Sequence, residues 1–186
     1  MIIYLIRHGQ DDTSVRGGWS SCPLTDKGIA QSKGLAEELL NSKEKYNIQK
    51  VYSSDLKRAK QTAQILSESL NLSVTFMPQF REVNNGDLAG MKNEEAEIKY
   101  PGLYWKDLKW NQEYPGGESP KAFYHRVKNG WEEFKLLCKK QNCNIALVTH
   151  GGVIHIIYCL ENDMEYSNKN KYPPVKCGNI IPVFIE

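Results

Sequence analysis

Two short segments decide the fold: residues 2–9, IIYLIRHG, and residues 145–152, IALVTHGG. Each begins with a continuous apolar run, which is typical of a strand that is covered on both faces. Each run leads into a histidine followed by glycine. Open α/β sheets bind ligands at the carboxyl ends of their strands. If the two strands are neighbours, His8 and His150 therefore face each other there, and the glycines let backbone N–H groups approach a ligand.

Outward from these segments, short apolar runs alternate with longer helical patterns, as in α/β folds. Further strands are predicted over about residues 48–52 and 72–76, and helices over about 25–40, 55–70 and 153–160. The clearest helix follows Ser119, a good N-cap, and Pro120, which suits a first helical position. The tail over residues 175–186, interrupted by Pro182, is predicted to form an edge strand. The sequence thus predicts a three-layer sandwich with a mostly parallel sheet and helices on both faces.

One long excursion interrupts this alternation, over about residues 78–117. It is rich in aromatic residues, among them Trp105 and Trp110, which could form a flat substrate wall or part of the core. Excursions of this length in a compact domain usually serve function. We therefore expect residues 1–186 to form a single domain with a lid-like or cap-like element.

Composition excludes several classes of protein. The chain of 186 residues is 40% apolar and 25% charged, as in globular proteins. Its 24 basic and 22 acidic residues give a net charge of +2 without a basic stripe, so we expect no nucleic-acid partner. Its apolar runs are far shorter than a membrane span requires, so we expect no membrane partner. Nothing in the first residues resembles a signal peptide, which predicts a cytoplasmic location, and the oligomeric state is left open.

The cysteines and histidines show no metal-binding spacing. The five cysteines include no C-x-x-C pair, which favours reduced thiols. The four histidines lack the spacing of a metal motif as well. We therefore expect neither a metal ion nor a cofactor.

Two arginines point to an anionic ligand. Arg7 stands at the same strand end as His8, and its planar guanidinium suits phosphate. Arg58 falls in the first turn of a predicted helix, where a cation opposes the helix dipole. A bound anion would reverse that effect, because helix N-termini and arginines together bind phosphate.

Four sequence blocks, taken in order, resemble the signatures of the histidine phosphatase superfamily of phosphoglycerate mutase-like enzymes. The blocks are RHG at residues 7–9, SSDLKRAKQTA at 53–63, Arg81-Glu82 ahead of GDLAG at 86–90, and THGG at 149–152. The resemblance extends over residues 1–160 or so. It implies a phosphoglycerate mutase-like fold and a small phosphate ester as the substrate.

The resemblance also implies a role for each site residue. His8 is the nucleophile that becomes phosphohistidine, and Glu82 is the general acid and then the base. Arg7, Arg58 and His150 surround the transferring phosphoryl group, with a backbone N–H near Gly151.

Several positions depart from the family pattern or stay outside the expected site. Ser14 stands where many members carry asparagine, and it could still donate to a phosphate oxygen. Gln10 is a further candidate for substrate contact. Two carboxylates beside a phosphate would repel it, so Asp11 and Asp12 are predicted to point to solvent. Two other histidines are expected outside the site, and of these His125 is predicted to be solvated and His155 to pack locally.

The leading functional prediction is a phosphomonoesterase acting through phosphohistidine, and alpha-ribazole phosphatase is one candidate. One alternative is a cofactor-dependent phosphoglycerate mutase-type phosphotransferase. The aromatic excursion, which contains lysines but no arginine between residues 91 and 114, suits an organic leaving group better than a bisphosphate. Another alternative is a catalytically silent phosphate-binding domain, although such relatives usually lose the nucleophile or the acid.

Overall fold

The computed structural model describes residues 1–185, which form five strands and six α-helices. The strands are β1 (Ile2–Arg7), β2 (Ile48–Ser53), β3 (Val74–Phe76), β4 (Asn144–Thr149) and β5 (Ile180–Phe184). The helices are α1 (Asp26–Asn41), α2 (Lys43–Tyr46), α3 (Lys57–Leu70), α4 (Asn93–Lys99), α5 (Pro120–Gln141) and α6 (Gly151–Glu161).

All five strands join one sheet in the order β3-β2-β4-β1-β5. The first four are mutually parallel, and β5 runs antiparallel to β1 at the edge. Strands β1 and β4 are direct neighbours, with Arg7 opposite Thr149. The predicted adjacency of the two strands that lead into His-Gly is therefore confirmed. The predicted edge strand is confirmed as well, but it is shorter than predicted, and residue 186 lies outside the described residues.

The two faces of the sheet bury two separate apolar cores. On β1, Ile3 and Leu5 pack with apolar residues of α5 and α6. The alternate residues Tyr4 and Ile6 pack on the other face, with apolar residues of α1 and α3. This alternation is the period-two geometry of a strand. It confirms the predicted three-layer sandwich.

Local hydrogen bonds set where the helices begin. The Thr25 hydroxyl accepts from Gly28 N and the Ser119 hydroxyl from Ala122 N, each at 3.1 Å, so both predicted caps are confirmed. Helix α3 begins at Lys57, later than predicted, because the Ser54 hydroxyl accepts from Leu56 N and keeps Leu56 extended. Helix α6 begins at Gly151, earlier than predicted, since an extended His150 is its N-cap.

The excursion over residues 78–117 contains α4 and three single 3₁₀ turns rather than a sheet element. It has a small core of its own, formed by Leu88, Leu108 and Tyr114. An antiparallel bridge between Val15 and Lys92 ties it to the loop after β1. Its action as a lid, and the assignment of residues 1–186 to a single domain, stay predictions.

Among residues 1–185, every helix is too short or too polar to cross a bilayer.

Candidate active site

His8 lies just past the carboxyl end of β1 and is 3% exposed. Its backbone N–H donates to Thr149 O at 3.1 Å, which continues the pairing with β4. Its ring Nδ1 lies 2.7 Å from Gly9 O, and its Nε2 accepts from Arg58 Nε at 3.1 Å. These contacts fix the tautomer, with the proton on Nδ1 and the lone pair on Nε2.

The surroundings of His8 keep its ring neutral. Burial lowers the pKa of His8 to about 3, and the nearby positive charges of Arg58 and Arg7 act in the same direction. A neutral imidazole retains its lone pair at neutral pH, which is what a nucleophile requires. The ring geometry and the protonation state therefore agree on Nε2 as the reactive atom.

His150 lies beside His8 at the end of β4, with 4.9 Å between the two ring centroids. It is fully buried, and burial lowers its pKa well below the ordinary value, reinforced by Arg58 and by His8. Its Nε2 lies 2.8 Å from the Ser54 hydroxyl. When that hydroxyl donates to Nε2, the single proton of the neutral ring lies on Nδ1, which then becomes a hydrogen-bond donor.

Two arginines place fixed positive charge beside the histidines. Arg58, in the first turn of α3, is 2% exposed and also donates from Nη2 to Gly18 O at 2.8 Å. Arg7 donates from Nη1 to Val175 O at 2.5 Å. Its Nε and the Nδ1 of His150 are buried without a hydrogen-bond partner among the described residues. We call Arg7, His8, Arg58 and His150 the phosphoryl pocket, because an oxyanion would satisfy both of these atoms.

Glu82 reaches the pocket from the excursion. Its Oε2 accepts from Gly152 N in the first turn of α6 at 3.0 Å, and its Oε1 accepts from Val83 N at 3.1 Å. A Cβ atom at Gly152 would lie 2.3 Å from Glu82 Oε1. The second glycine of the THGG block therefore leaves room for this carboxylate.

A half-buried arginine on α5 holds the backbone on either side of Glu82. Arg126 donates to the carbonyls of Gln79, Arg81 and Glu82 at 2.9 to 3.0 Å. Its remaining donors pair with Glu118, whose Oε2 also accepts from Asn84 N at 2.8 Å. The sequence did not predict this set of contacts, because the residues that form it lie on three separate segments.

Other predicted site residues fall outside the pocket. The Ser14 hydroxyl is exposed and donates to Asp12 Oδ1 at 2.7 Å, because the carboxylate two residues earlier is its nearest acceptor. Gln10 does not line the cavity that contains His8. Its backbone N–H donates to Gln31 Oε1, and its carbonyl accepts from Thr25 N. The structure therefore places Ser14 and Gln10 outside the pocket, and their contacts with a substrate stay predictions.

The two glycines that follow the histidines differ in function. Gly9 donates its N–H to the Thr62 hydroxyl at 3.0 Å, and a Cβ there would lie 2.3 Å from Gly28 O. The absence of a side chain at Gly9 therefore allows close packing on α1. Its N–H is occupied by Thr62 and does not approach a ligand, contrary to the prediction. Gly151 does line the cavity. A Cβ atom at Gly151 would lie 3.8 Å from the guanidinium carbon of Arg7.

Asp11 points into the site instead of to solvent. Its Oδ2 lies 3.3 Å from Arg58 Nε, and the side chain is 18% exposed. The prediction failed because it counted the repulsion from a phosphate and not the attraction of Arg58. Asp12 is exposed, as predicted.

A cleft of about 470 Å³ opens above the pocket, a size suited to a small molecule. One side consists of Trp105, Tyr166, Asn168 and Tyr172, which we call the wall. Asn168 joins its two segments by donating to the carbonyls of Trp105 and Leu108 at 2.7 and 3.0 Å. His155 packs locally, as predicted, by stacking on Tyr172 at 5.1 Å, and it also lines the cleft.

The remaining aromatic and histidine predictions have separate outcomes. Trp105 both lines the cleft and packs edge-on against Phe123 at 5.6 Å, so it belongs to wall and core together. Trp110 lies outside the cleft and packs against Tyr124 and Tyr166. His125 is exposed, as predicted.

The sequence as a whole matches one family model, "Histidine phosphatase superfamily (branch 1)", over residues 3–181. The chain belongs to the histidine phosphatase superfamily. The resemblance of the four blocks is thereby confirmed, and the fold agrees with it.

Individual members of the superfamily align over most of the chain. It is 32% identical to phosphoserine phosphatase 1 of Hydrogenobacter thermophilus, over 84% of this chain and 74% of that protein. It is 30% identical to the adenosylcobalamin/alpha-ribazole phosphatase of Salmonella typhimurium, over 84% and 77%. A mycobacterial glucosyl-3-phosphoglycerate phosphatase, solved in complex with VO3, superimposes with a TM-score of 0.80 at 25% identity, covering 97% of this chain and 90% of that one.

Within residues 1–185, no three histidine, cysteine or acidic side chains gather in a way that could hold a metal ion.

Proposed function

We propose that this histidine phosphatase superfamily member is a phosphomonoesterase that hydrolyses small organic phosphates through a phosphohistidine at His8. The observation that carries the proposal is the neutral His8 ring, whose Nε2 lone pair meets the Arg58 guanidinium at 3.1 Å. A nucleophile and a fixed cation at one point are what phosphoryl transfer requires of a protein.

In the first step, His8 Nε2 attacks phosphorus and the bond from phosphorus to the ester oxygen breaks. The leaving oxygen takes a proton from Glu82 in its protonated form. Arg7, Arg58 and the Nδ1–H of His150 stabilise the negative charge on the equatorial oxygens. The products of this step are an alcohol and N-phosphorylated His8.

In the second step, water attacks the phosphohistidine. The Glu82 carboxylate accepts a proton from that water, the bond from phosphorus to Nε2 breaks, and His8 regains its lone pair. Inorganic phosphate then leaves the pocket, and Glu82 is again protonated for the next cycle.

The cleft suits a substrate with an organic leaving group of modest size. Aromatic side chains on the wall and the relatives named as phosphatases support this class, and alpha-ribazole phosphate is one candidate. We also propose that the protein acts in the cytoplasm, and that it needs no metal ion because the two arginines supply the positive charge.

A phosphoenzyme assay tests the proposal. With radiolabelled phosphate ester, acid quenching should trap label on the protein, and alcohol should be released in a burst equal to the number of active sites. His8→Ala should lose both the label and turnover. The exposed His125 offers the matched control, since His125→Ala should keep both.

Two results would contradict the proposal. If turnover proceeds without trapped label, and if the same turnover persists in His8→Ala, the covalent mechanism is eliminated. Transfer of label to a phosphoglycerate in preference to water would favour the mutase-type alternative.

A further inference from the structure

The side chain of Asp11 lies beside the phosphoryl pocket. A backbone bridge between Asp11 and Leu24 fixes this part of the loop after β1. The carboxylate lines the same cleft as His8 and lies 3.3 Å from Arg58 Nε. The neighbouring Asp12 has the same charge but is exposed and accepts from Ser14.

One arginine nitrogen is shared between the nucleophile and this carboxylate. Arg58 Nε contacts His8 Nε2 at 3.1 Å and Asp11 Oδ2 at 3.3 Å. A phosphoryl group bound for transfer must take the Arg58 donors, and Asp11 then loses its partner. A largely buried carboxylate that is left beside a phosphate without a counter-charge is strongly unfavourable. A substrate that brings its own positive charge restores the pair.

The rest of the cleft favours the same kind of leaving group. Among the described residues, two arginines and no lysine line the cleft, and both arginines, Arg7 and Arg58, belong to the phosphoryl pocket. The wall offers no positive charge either, since its aromatic rings stack on one another and on neighbouring rings: Tyr166 on Tyr124 and Tyr172, and Tyr172 on His155. An anionic leaving group would therefore meet Asp11 with no lysine or arginine beyond the pocket to pair with.

We propose that Asp11 is a specificity-determining residue that selects phosphomonoesters whose leaving group carries an ammonium or similar cationic group, and that disfavours carboxylated ones. This inference rests on the phosphomonoesterase function proposed above.

A series of three esters with differently charged leaving groups tests the inference. Phosphoethanolamine carries an amine, glycerol 3-phosphate is uncharged beyond its phosphate, and 3-phosphoglycerate carries a carboxylate. The measurement is kcat/KM for each ester with the unmodified protein, Asp11→Asn and Asp12→Asn. Asparagine keeps the shape of the side chain and removes its charge.

The unmodified protein should prefer the three esters in the order given. Asp11→Asn should lower the ratio of amine ester to carboxylated ester on the order of tenfold, which lies between the effects of a charge pair about 4 Å apart in bulk water and near a protein surface. Asp12→Asn should leave the ratio unchanged, because an exposed charge outside the cleft is screened.

Each contrary outcome has a distinct meaning. If Asp11→Asn changes all three rates by one common factor, or changes none, Asp11 does not read the leaving group and the inference is wrong. If the unmodified protein hydrolyses no phosphate ester in a His8-dependent manner, the proposed function itself fails. The circular dichroism spectrum and the midpoint of thermal unfolding of Asp11→Asn, compared with those of the unmodified protein, show whether the variant is folded.

Discussion

The phosphoryl pocket and the wall face each other across one cleft but are built differently. The pocket stands on regular elements, the ends of β1 and β4 and the first turn of α3. Its two histidines and Arg58 are almost fully buried. The wall stands on irregular segments around Trp105 and Tyr172, which Asn168 joins through two hydrogen bonds.

This difference separates chemistry from recognition. Regular elements hold the pocket's reactive groups within the tolerance that catalysis needs. Irregular segments can change in sequence without disturbing that geometry, as loops on a scaffold commonly do. We therefore expect pocket variants to lower kcat and wall variants to raise KM.

The largest expected effect tests whether Glu82, which comes from the excursion, works with the pocket. Glu82→Gln keeps the shape of the side chain and removes its proton, so hydrolysis of an alkyl phosphate should slow by about 10²–10⁴-fold. An aryl phosphate should lose far less, since a phenolate leaves without a proton. The measurement is kcat on both esters. Glu94→Gln, at an exposed carboxylate of the same excursion, should match the unmodified protein.

Equal losses on both esters would show that Glu82 is not the acid of the first step. It would then belong with the wall, as a group that binds without transferring a proton.

The next effect compares a pocket histidine with His155, which lies on α6 and packs against the wall. His150→Ala removes a donor to the phosphoryl oxygens, and kcat should fall on the order of 10²–10³-fold by analogy with oxyanion donors. His155→Ala removes a ring that stacks on Tyr172, so it should raise KM and leave kcat nearly unchanged. Steady-state kinetics on one substrate measures both. A similar fall of kcat in the two variants would contradict the division between pocket and wall.

The smallest effect concerns the wall alone. Tyr172→Ala removes an aromatic face and should raise KM by roughly 2- to 12-fold, the equivalent of about 0.5–1.5 kcal/mol for one aromatic contact. Tyr172→Phe keeps the face but loses the hydroxyl, which accepts from Ser167 N and donates to Ser167 O. The KM of Tyr172→Phe should therefore lie between the KM of the unmodified protein and that of Tyr172→Ala. An unchanged KM in Tyr172→Ala, measured with an aromatic leaving group, would show that the substrate does not touch this wall.

The pocket could be predicted because its signals are local in the sequence. A histidine that follows an apolar strand, or an arginine in the first turn of a helix, shows its position within a few residues. Asp11 could not be predicted in the same way. Its orientation depends on Arg58, which lies far along the chain and approaches it only once α3 packs on α1.

Trp105 was a predicted candidate for the wall, but the rest of the wall could not be predicted, for a related reason. Its second segment, around Tyr166 and Tyr172, has no helical or strand periodicity to read. It is held by aromatic stacking, with 5.7 Å between these two rings, and by Asn168 bonds to the excursion. Such contacts join distant parts of the chain and leave no pattern in either part.

The place of β1 in the sheet has a consequence for synthesis on the ribosome. Ile3 of β1 lies opposite Ile145 of β4 on one side and Val183 of β5 on the other. The strand that leads to His8 is therefore translated well before both of its neighbours. A nascent chain can form local helices early, but its nucleophile is positioned only after β4 and β5 have been translated. Until then β1 exposes two unpaired edges, which leaves it open to mispairing during synthesis.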